Sequence, residues 1–72
     1  AANAQTGTIA IGQSALTALT SGTGNTAVGY QSGLTMTSGL NNTVLGWGAL
    51  NNATSGVDDN VAIGYCAMSG AL

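Results

Sequence analysis

The chain has 72 residues and a formal net charge of −2, and it contains no Lys, Arg or His. Without basic side chains it cannot neutralise phosphate groups, so we expect neither nucleic-acid binding nor attraction to anionic membranes. Its carboxylates are two adjacent aspartates and it has no imidazole, so we expect no enzymatic activity and no cofactor. Its apolar runs are shorter than the roughly 18–20 residues of a membrane span, so we expect no membrane insertion.

The sequence repeats with a period of 17 or 18 residues, which is the first feature to explain in a chain of this kind. After a lead-in at 1–7, the units are 8–24, 25–41, 42–59 and an incomplete 60–72. The single extra residue falls at Val57-Asp58-Asp59, directly after a turn signal, where insertions are tolerated. A unit this short has no core of its own. We therefore expect residues 1–72 to form one repetitive segment.

Each unit is predicted to begin with a short strand and a glycine corner. The first position holds Asn in three of the four units, and Thr8 takes its place in unit 8–24. The second position is β-branched and the fourth is a large aliphatic residue, so both lie on one face of an extended strand. The fourth-position residues are Ile11, Val28, Leu45 and Ile63. The fifth position is always glycine, which fits a corner with positive φ or close backbone approach; these residues are Gly12, Gly29, Gly46 and Gly64.

The remainder of each unit is predicted to form a second short strand and a turn at Thr-Ser-Gly. The sixth position holds Tyr30, Trp47 and Tyr65 after Gln13, so we expect an aromatic ladder that packs within the chain or at an interface. Units stacked about 4.8 Å apart would make an all-β fold, a β-solenoid or β-roll of about four rungs. Helical architecture is disfavoured because glycine recurs every few residues at roughly 1 kcal/mol each.

Two strings carry a family resemblance. Asn-Thr-Ala-Val-Gly-Tyr-Gln-Ser at 25–32 and Asn-Val-Ala-Ile-Gly-Tyr at 60–65 resemble repeats of bacteriophage tail-fibre-like and bacterial surface-fibre proteins. They are also similar to the head repeats of trimeric autotransporter adhesins, although the period here is longer. The resemblance covers residues 8–72. It implies a β-roll or β-solenoid, commonly in a homotrimer, displayed outside the cell or on a virion for adhesion or spacing.

These observations favour a structural segment of an extracellular or virion fibre. The ends carry no capping pattern, so we expect them to continue into more repeats, another subunit or a partner strand. The expected partner is the chain itself, in a parallel trimer or an end-to-end filament. An adhesin-type module that recognises glycans or a host receptor is the alternative. Ice binding by a threonine column at Thr20, Thr37 and Thr54 is a remote one, and amyloid-like association is disfavoured by the phased glycines.

Three other groups of residues are weaker candidates. Asp58 and Asp59 offer carboxylate oxygens to a cation such as Ca²⁺, but two adjacent acids in a turn are usually solvated. Asn41 and Asn52 begin N-x-[ST] glycosylation patterns. Cys66 is expected to be a small residue in a tight strand, with an interchain disulfide as the less favoured role.

Overall fold

The computed structural model describes residues 7–52 and 57–69. The described residues form four three-residue strands in one parallel sheet, with strand order β1-β2-β3-β4. The strands are β1 Ile9–Ile11, β2 Thr26–Val28, β3 Thr43–Leu45 and β4 Val61–Ile63. No helix occurs in this part of the chain, and so none long and apolar enough to cross a membrane. The all-β prediction is confirmed and the helical alternative is wrong.

The register of the sheet follows the sequence repeat. Thr26 pairs with Ile9 on one side and with Thr43 on the other, and Thr43 pairs with Val61. Residues that the repeat aligns are therefore direct neighbours between strands. The extra residue of the third unit is absorbed before β4, where Leu40 and Asp58 form an isolated parallel bridge. The insertion thus leaves the strand register unchanged.

The glycine at the fifth position is required by both conformation and space. Gly12, Gly29, Gly46 and Gly64 have φ between 123° and 132°, a region that side chains with a Cβ rarely enter. A Cβ on Gly29 would lie 2.5 Å from the carbonyl oxygen of Gly46. The four glycines lie in a single file because each one leaves room for the backbone of the next.

The prediction of a second short strand after the glycine is wrong, because these residues form consecutive turns. In the second unit, Ser32 N donates to Gly29 O at 3.2 Å and Leu34 N donates to Gln31 O at 3.3 Å. The third residue of each turn has a left-handed φ, as in turns that favour glycine at that place. At the seventh position these residues are Ser14, Gln31, Gly48 and Cys66, and at the ninth they are Leu16, Gly33, Leu50 and Met68.

The core lies between the inner face of the sheet and these turns. The largest fully buried apolar side chains come from the turn regions: Leu16, Leu19, Met36 and Leu50. They cluster with the small third-position residues of the strands, which are Ala10, Ala27, Val44 and Ala62. Gly33 makes room in this cluster, since a Cβ there would lie 2.7 Å from Leu16 Cδ2. The narrow gap between sheet and turns explains why the inward strand position is small.

A column of asparagines closes the core at the start of each strand. Asn25 and Asn42 are fully buried, and Asn60 is half-buried. Asn42 Nδ2 donates to Asn25 Oδ1 at 3.0 Å and to Val57 O at 2.6 Å, while Asn60 N and Nδ2 donate to Asn42 Oδ1 at 3.0 and 3.1 Å. The side chains therefore satisfy one another and the turn carbonyls, as buried amides must.

Candidate functional site

The most distinctive surface is the outward side of the parallel sheet, which we call the outward face. It consists of the second- and fourth-position residues of β1–β4: Ile9, Ile11, Thr26, Val28, Thr43, Leu45, Val61 and Ile63. Ile11 is 59% exposed, Val61 66% and Ile63 61%. Soluble monomers rarely leave a contiguous apolar patch of this kind uncovered, which makes the outward face the candidate interaction site.

The outward face shows which side of the strands is buried. The alternation correctly predicts that the second and fourth positions share one face, and in the structure this face is the more exposed one. Ala27 and Val44 at the third position are buried instead. The signal was present in the sequence: the third position holds Ala in three units, and a small residue fits the narrow space inside the chain.

No charged side chain belongs to the outward face. The chain's two carboxylates, Asp58 and Asp59, lie in the turn before β4. The face is also regular, because residues 17 or 18 apart are paired in register. The outward face is therefore an uncharged, apolar and repetitive surface with two threonines, Thr26 and Thr43, in its middle.

The aromatic residues continue the exposed surface beyond the glycine corner. Tyr30 and Trp47 stack with ring centroids 5.2 Å apart, and Trp47 and Tyr65 with centroids 5.0 Å apart. Trp47 thus has a tyrosine against each ring face although it is 46% exposed. Stacking on a sugar needs a free ring face, and within the stack only Tyr65, 75% exposed, has most of its ring uncovered. The ladder is built for packing between neighbouring units.

The threonine column is tied into the backbone. Thr20 Oγ1 donates to Thr37 O at 3.1 Å, and Thr54 lies outside the described residues. An ice-binding face needs a regular array of hydroxyl groups directed to water. The observed bond gives no support to that reading.

The two aspartates form no built metal site among residues 7–52 and 57–69, where no three His, Cys, Asp or Glu side chains come together. Asp58 Oδ1 accepts a hydrogen bond from Leu40 N at 3.0 Å. Asp59 has a left-handed φ of 60°. The Asp58 carboxylate therefore links the inserted turn to the preceding unit, as does the bond from Asp59 N to Leu40 O at 2.9 Å.

The remaining candidates lie apart from the outward face. Asn41 and Asn52 are exposed, and the threonine that completes the pattern of Asn52 falls outside the described residues. Cys66 is a partly buried free thiol with φ of 52°. It lies in a left-handed turn, so its placement in a tight strand was wrong.

The described part of the chain encloses no ligand pocket. Comparison of the chain with protein-family models, curated proteins and solved structures gave no match.

Proposed function

We propose that this chain is a structural, self-assembling segment of an extracellular or virion fibre. Its repeats are taken to be the rungs of a β-solenoid, and its outward face is taken to pack against a second copy of the chain. The observation that carries the proposal is the exposed, uncharged outward face. The resemblance of residues 25–32 and 60–65 to fibre repeats points to the same role and to the same location.

Hydrogen bonds between units support the solenoid part of the proposal. Outside the strands, Leu16 N donates to Ser32 O at 2.9 Å, Gly33 N donates to Ala49 O at 2.8 Å, and Thr20 N donates to Thr37 O at 2.9 Å. Neighbouring units are therefore bonded in the turns as well as in the sheet. A stack bonded in this way extends along one axis, which is the property a spacer needs.

The energetics favour a second copy as the occupant of the outward face. Burying a Val, Leu or Ile side chain fully stabilises by roughly 1.5–3 kcal/mol. Ile9, Ile11, Leu45, Val61 and Ile63 are between 45% and 66% exposed. Covering them would contribute about 4–8 kcal/mol per copy, and twice that for two faces. Association costs about 4–15 kcal/mol, so two mutually covered faces contribute a free energy of the size that association requires.

The geometry of the face also favours the chain itself over an unrelated partner. A partner with the same spacing between strands can match every column, and only a copy is certain to have that spacing. The absence of charge removes the electrostatic complementarity by which unrelated partners are usually selected. The aromatic ladder gives the adhesin alternative little support, because the ring faces of Trp47 are covered by its neighbours and only Tyr65, at the end of the ladder, has most of its ring uncovered.

The test is the oligomeric state of the 72-residue chain and of an Ile63→Asn variant, measured by sedimentation velocity and native mass spectrometry. The wild-type chain should associate, and Ile63→Asn should weaken association by at least tenfold because it puts an amide in the covered surface. Thr17→Asn, on an exposed turn, is the matched control and should associate like the wild type. A wild-type chain that stays monomeric would remove the proposal.

A further inference from the structure

The outward face is apolar except in the middle of one of its two columns. The two threonines of the second-position column are direct neighbours, because Thr26 pairs with Thr43 between β2 and β3. Every other residue of the face is Val, Leu or Ile. A partner that covers the face therefore also covers two adjacent hydroxyl groups. The second-position column is Ile9, Thr26, Thr43 and Val61, and the fourth-position column is Ile11, Val28, Leu45 and Ile63.

The hydroxyl groups of Thr26 and Thr43 have no hydrogen-bond partner within residues 7–52 and 57–69. Thr26 is half-buried and Thr43 is exposed, so water can bond to both in the isolated chain. Thr20 and Thr35 differ, since their hydroxyl groups donate to carbonyl groups of the next unit. A second copy on the outward face excludes the water from Thr26 and Thr43. A hydroxyl that loses its water and gains no partner weakens association.

Packing two copies with their stacks in the same direction leaves these hydroxyl groups without partners. In packed sheets the strand directions stay aligned within about 30°, so units of equal number then lie opposite each other with their strands reversed. When both columns are covered, each second-position residue faces a fourth-position residue of the same unit. Thr26 faces Val28 of the partner subunit, and Thr43 faces Leu45 of the partner subunit. All four hydroxyl groups of the pair are buried against aliphatic side chains.

Packing the stacks in opposite directions brings the threonines together. A two-fold axis parallel to the strands, midway between β2 and β3, keeps the strand direction and reverses the order of the units. Second-position residues then face second-position residues, so Thr26 faces Thr43 of the partner subunit, and the reciprocal pair forms by symmetry. Aliphatic residues face aliphatic residues in the same arrangement. Between one copy and the other, these pairs are Ile9 with Val61, Ile11 with Ile63 and Val28 with Leu45.

We propose that two copies of this chain pair through their outward faces with antiparallel stacks, and that Thr26 hydrogen-bonds to Thr43 of the partner subunit. A threonine hydroxyl both donates and accepts, so one hydroxyl of each pair donates to the other. The inference rests on the proposed function and deepens it, because it specifies the orientation of the second copy and the residues that select it. The contact is isologous and closes on itself as a dimer.

A second copy fits this surface better than an unrelated partner does. It brings two hydroxyl groups separated by the same interstrand distance, about 4.8 Å, so that both threonine pairs form at once. It also brings an aliphatic residue to every other place on the face, and no charge. Burial of this aliphatic surface on both copies drives the association, and the two threonines determine its direction.

Valine substitutions test the threonine pairs, with the dissociation constant of the dimer read by sedimentation equilibrium. Valine keeps the shape of threonine and removes the hydroxyl. Thr26→Val leaves both Thr43 hydroxyl groups of the dimer without partners, so Kd should rise at least about tenfold, and Thr43→Val should act alike. The double variant removes both members of each pair, so its Kd should return to the wild-type value or below it. Thr17→Val, in an exposed turn, should leave Kd unchanged.

Disulfide trapping tests the orientation of the stacks. In a Cys66→Ser background, two chains that each carry one cysteine are mixed and oxidised, and mixed disulfides are identified by mass with one chain isotopically labelled. Antiparallel stacks place residue 11 opposite residue 63, so Ile11→Cys and Ile63→Cys should form the mixed disulfide. The matched mixture of Ile11→Cys with Ile9→Cys loses the same kind of side chain. It should form little disulfide, because three interstrand spacings, about 14 Å, then separate the two thiols.

The opposite results would overturn the antiparallel pairing. In stacks that run in the same direction, Thr26→Val and Thr43→Val each remove an unpaired hydroxyl and should tighten association, and Ile11→Cys should cross-link to Ile9→Cys. Association that neither threonine substitution changes would also contradict the pairing. Either result removes this inference and keeps the proposed function, since a copy still covers the outward face. A wild-type chain that stays monomeric would remove both.

Discussion

Replacing Asn42 by leucine should destabilise the fold strongly, because Asn42 is the middle member of the buried asparagine column. The substitution keeps the branched shape of the side chain but removes the side-chain donor to Asn25 Oδ1 and Val57 O and the acceptor for Asn60. Asn60 N then loses its partner, while Asn25 Oδ1 keeps only Asn42 N and Val57 O keeps only Leu40 N at 3.2 Å. A group left without its hydrogen bond costs about 1–3 kcal/mol and each of the two other lost bonds about 0.5–1.5 kcal/mol, so the substitution should cost about 2–6 kcal/mol.

Thermal unfolding followed by circular dichroism at one fixed chain concentration measures this effect. In a domain of this size, about 1 kcal/mol shifts Tm by about 4–8 °C, so Asn42→Leu should lower Tm by at least about 8 °C. Asn52→Leu is the control, since Asn52 is exposed, and it should shift Tm by only a few degrees. An Asn42→Leu chain as stable as the wild type would refute the view that the column holds the units together.

Three further predictions concern the corner, the turn and the ladder. Gly29→Ala should prevent folding, because its Cβ would meet Gly46 O at 2.5 Å. Gly48→Ala is the control: its nearest contact would be 3.3 Å, so it should cost only the roughly 1–2 kcal/mol of a left-handed residue. Soluble yield and circular dichroism measure both effects. Gln31→Gly should raise Tm, since it relieves a left-handed φ of 56° for a net gain of about 0.5–1 kcal/mol, whereas Gln31→Ala should not. Trp47→Leu should lose two stacked pairs at about 0.5–1.5 kcal/mol each and Tyr65→Leu only one, so near-equal losses in denaturant unfolding would contradict the ladder.

The strands and their register could be predicted from the sequence because the repeat itself specifies them. A residue pairs with the residue one period later, so counting 17 or 18 positions from Ile9 gives Thr26, Thr43 and Val61. The glycine column was predictable for a similar reason. Only glycine tolerates both the φ near 130° and the approach of the next backbone, and the sequence has no other residue at that position.

The sequence repeat does not predict which face of each strand is buried, nor the conformation of the turns. Alternation predicts that Ile11 and Ile9 share a face, but it does not predict which face of the strand is buried. The buried face is decided by the space between the sheet and the turns that carry Leu16 and Leu50. The turns were missed because Gln31 and Cys66 adopt a left-handed conformation without being glycine. The glycine at residue 48 in the same column was the available signal, since one glycine among aligned residues marks a shared positive φ.

The covering of the outward face by a second copy can be measured directly with methyl NMR. The three isoleucines of the chain, Ile9, Ile11 and Ile63, all lie on the outward face, so isoleucine δ1-methyl labelling reports on this surface alone. With a soluble paramagnetic agent, all three methyl signals should be shielded from relaxation in the concentrated wild-type chain and should lose that shielding on dilution. Strong relaxation of all three methyl groups in the associated chain would contradict the account, because the assembly would then leave the outward face in water.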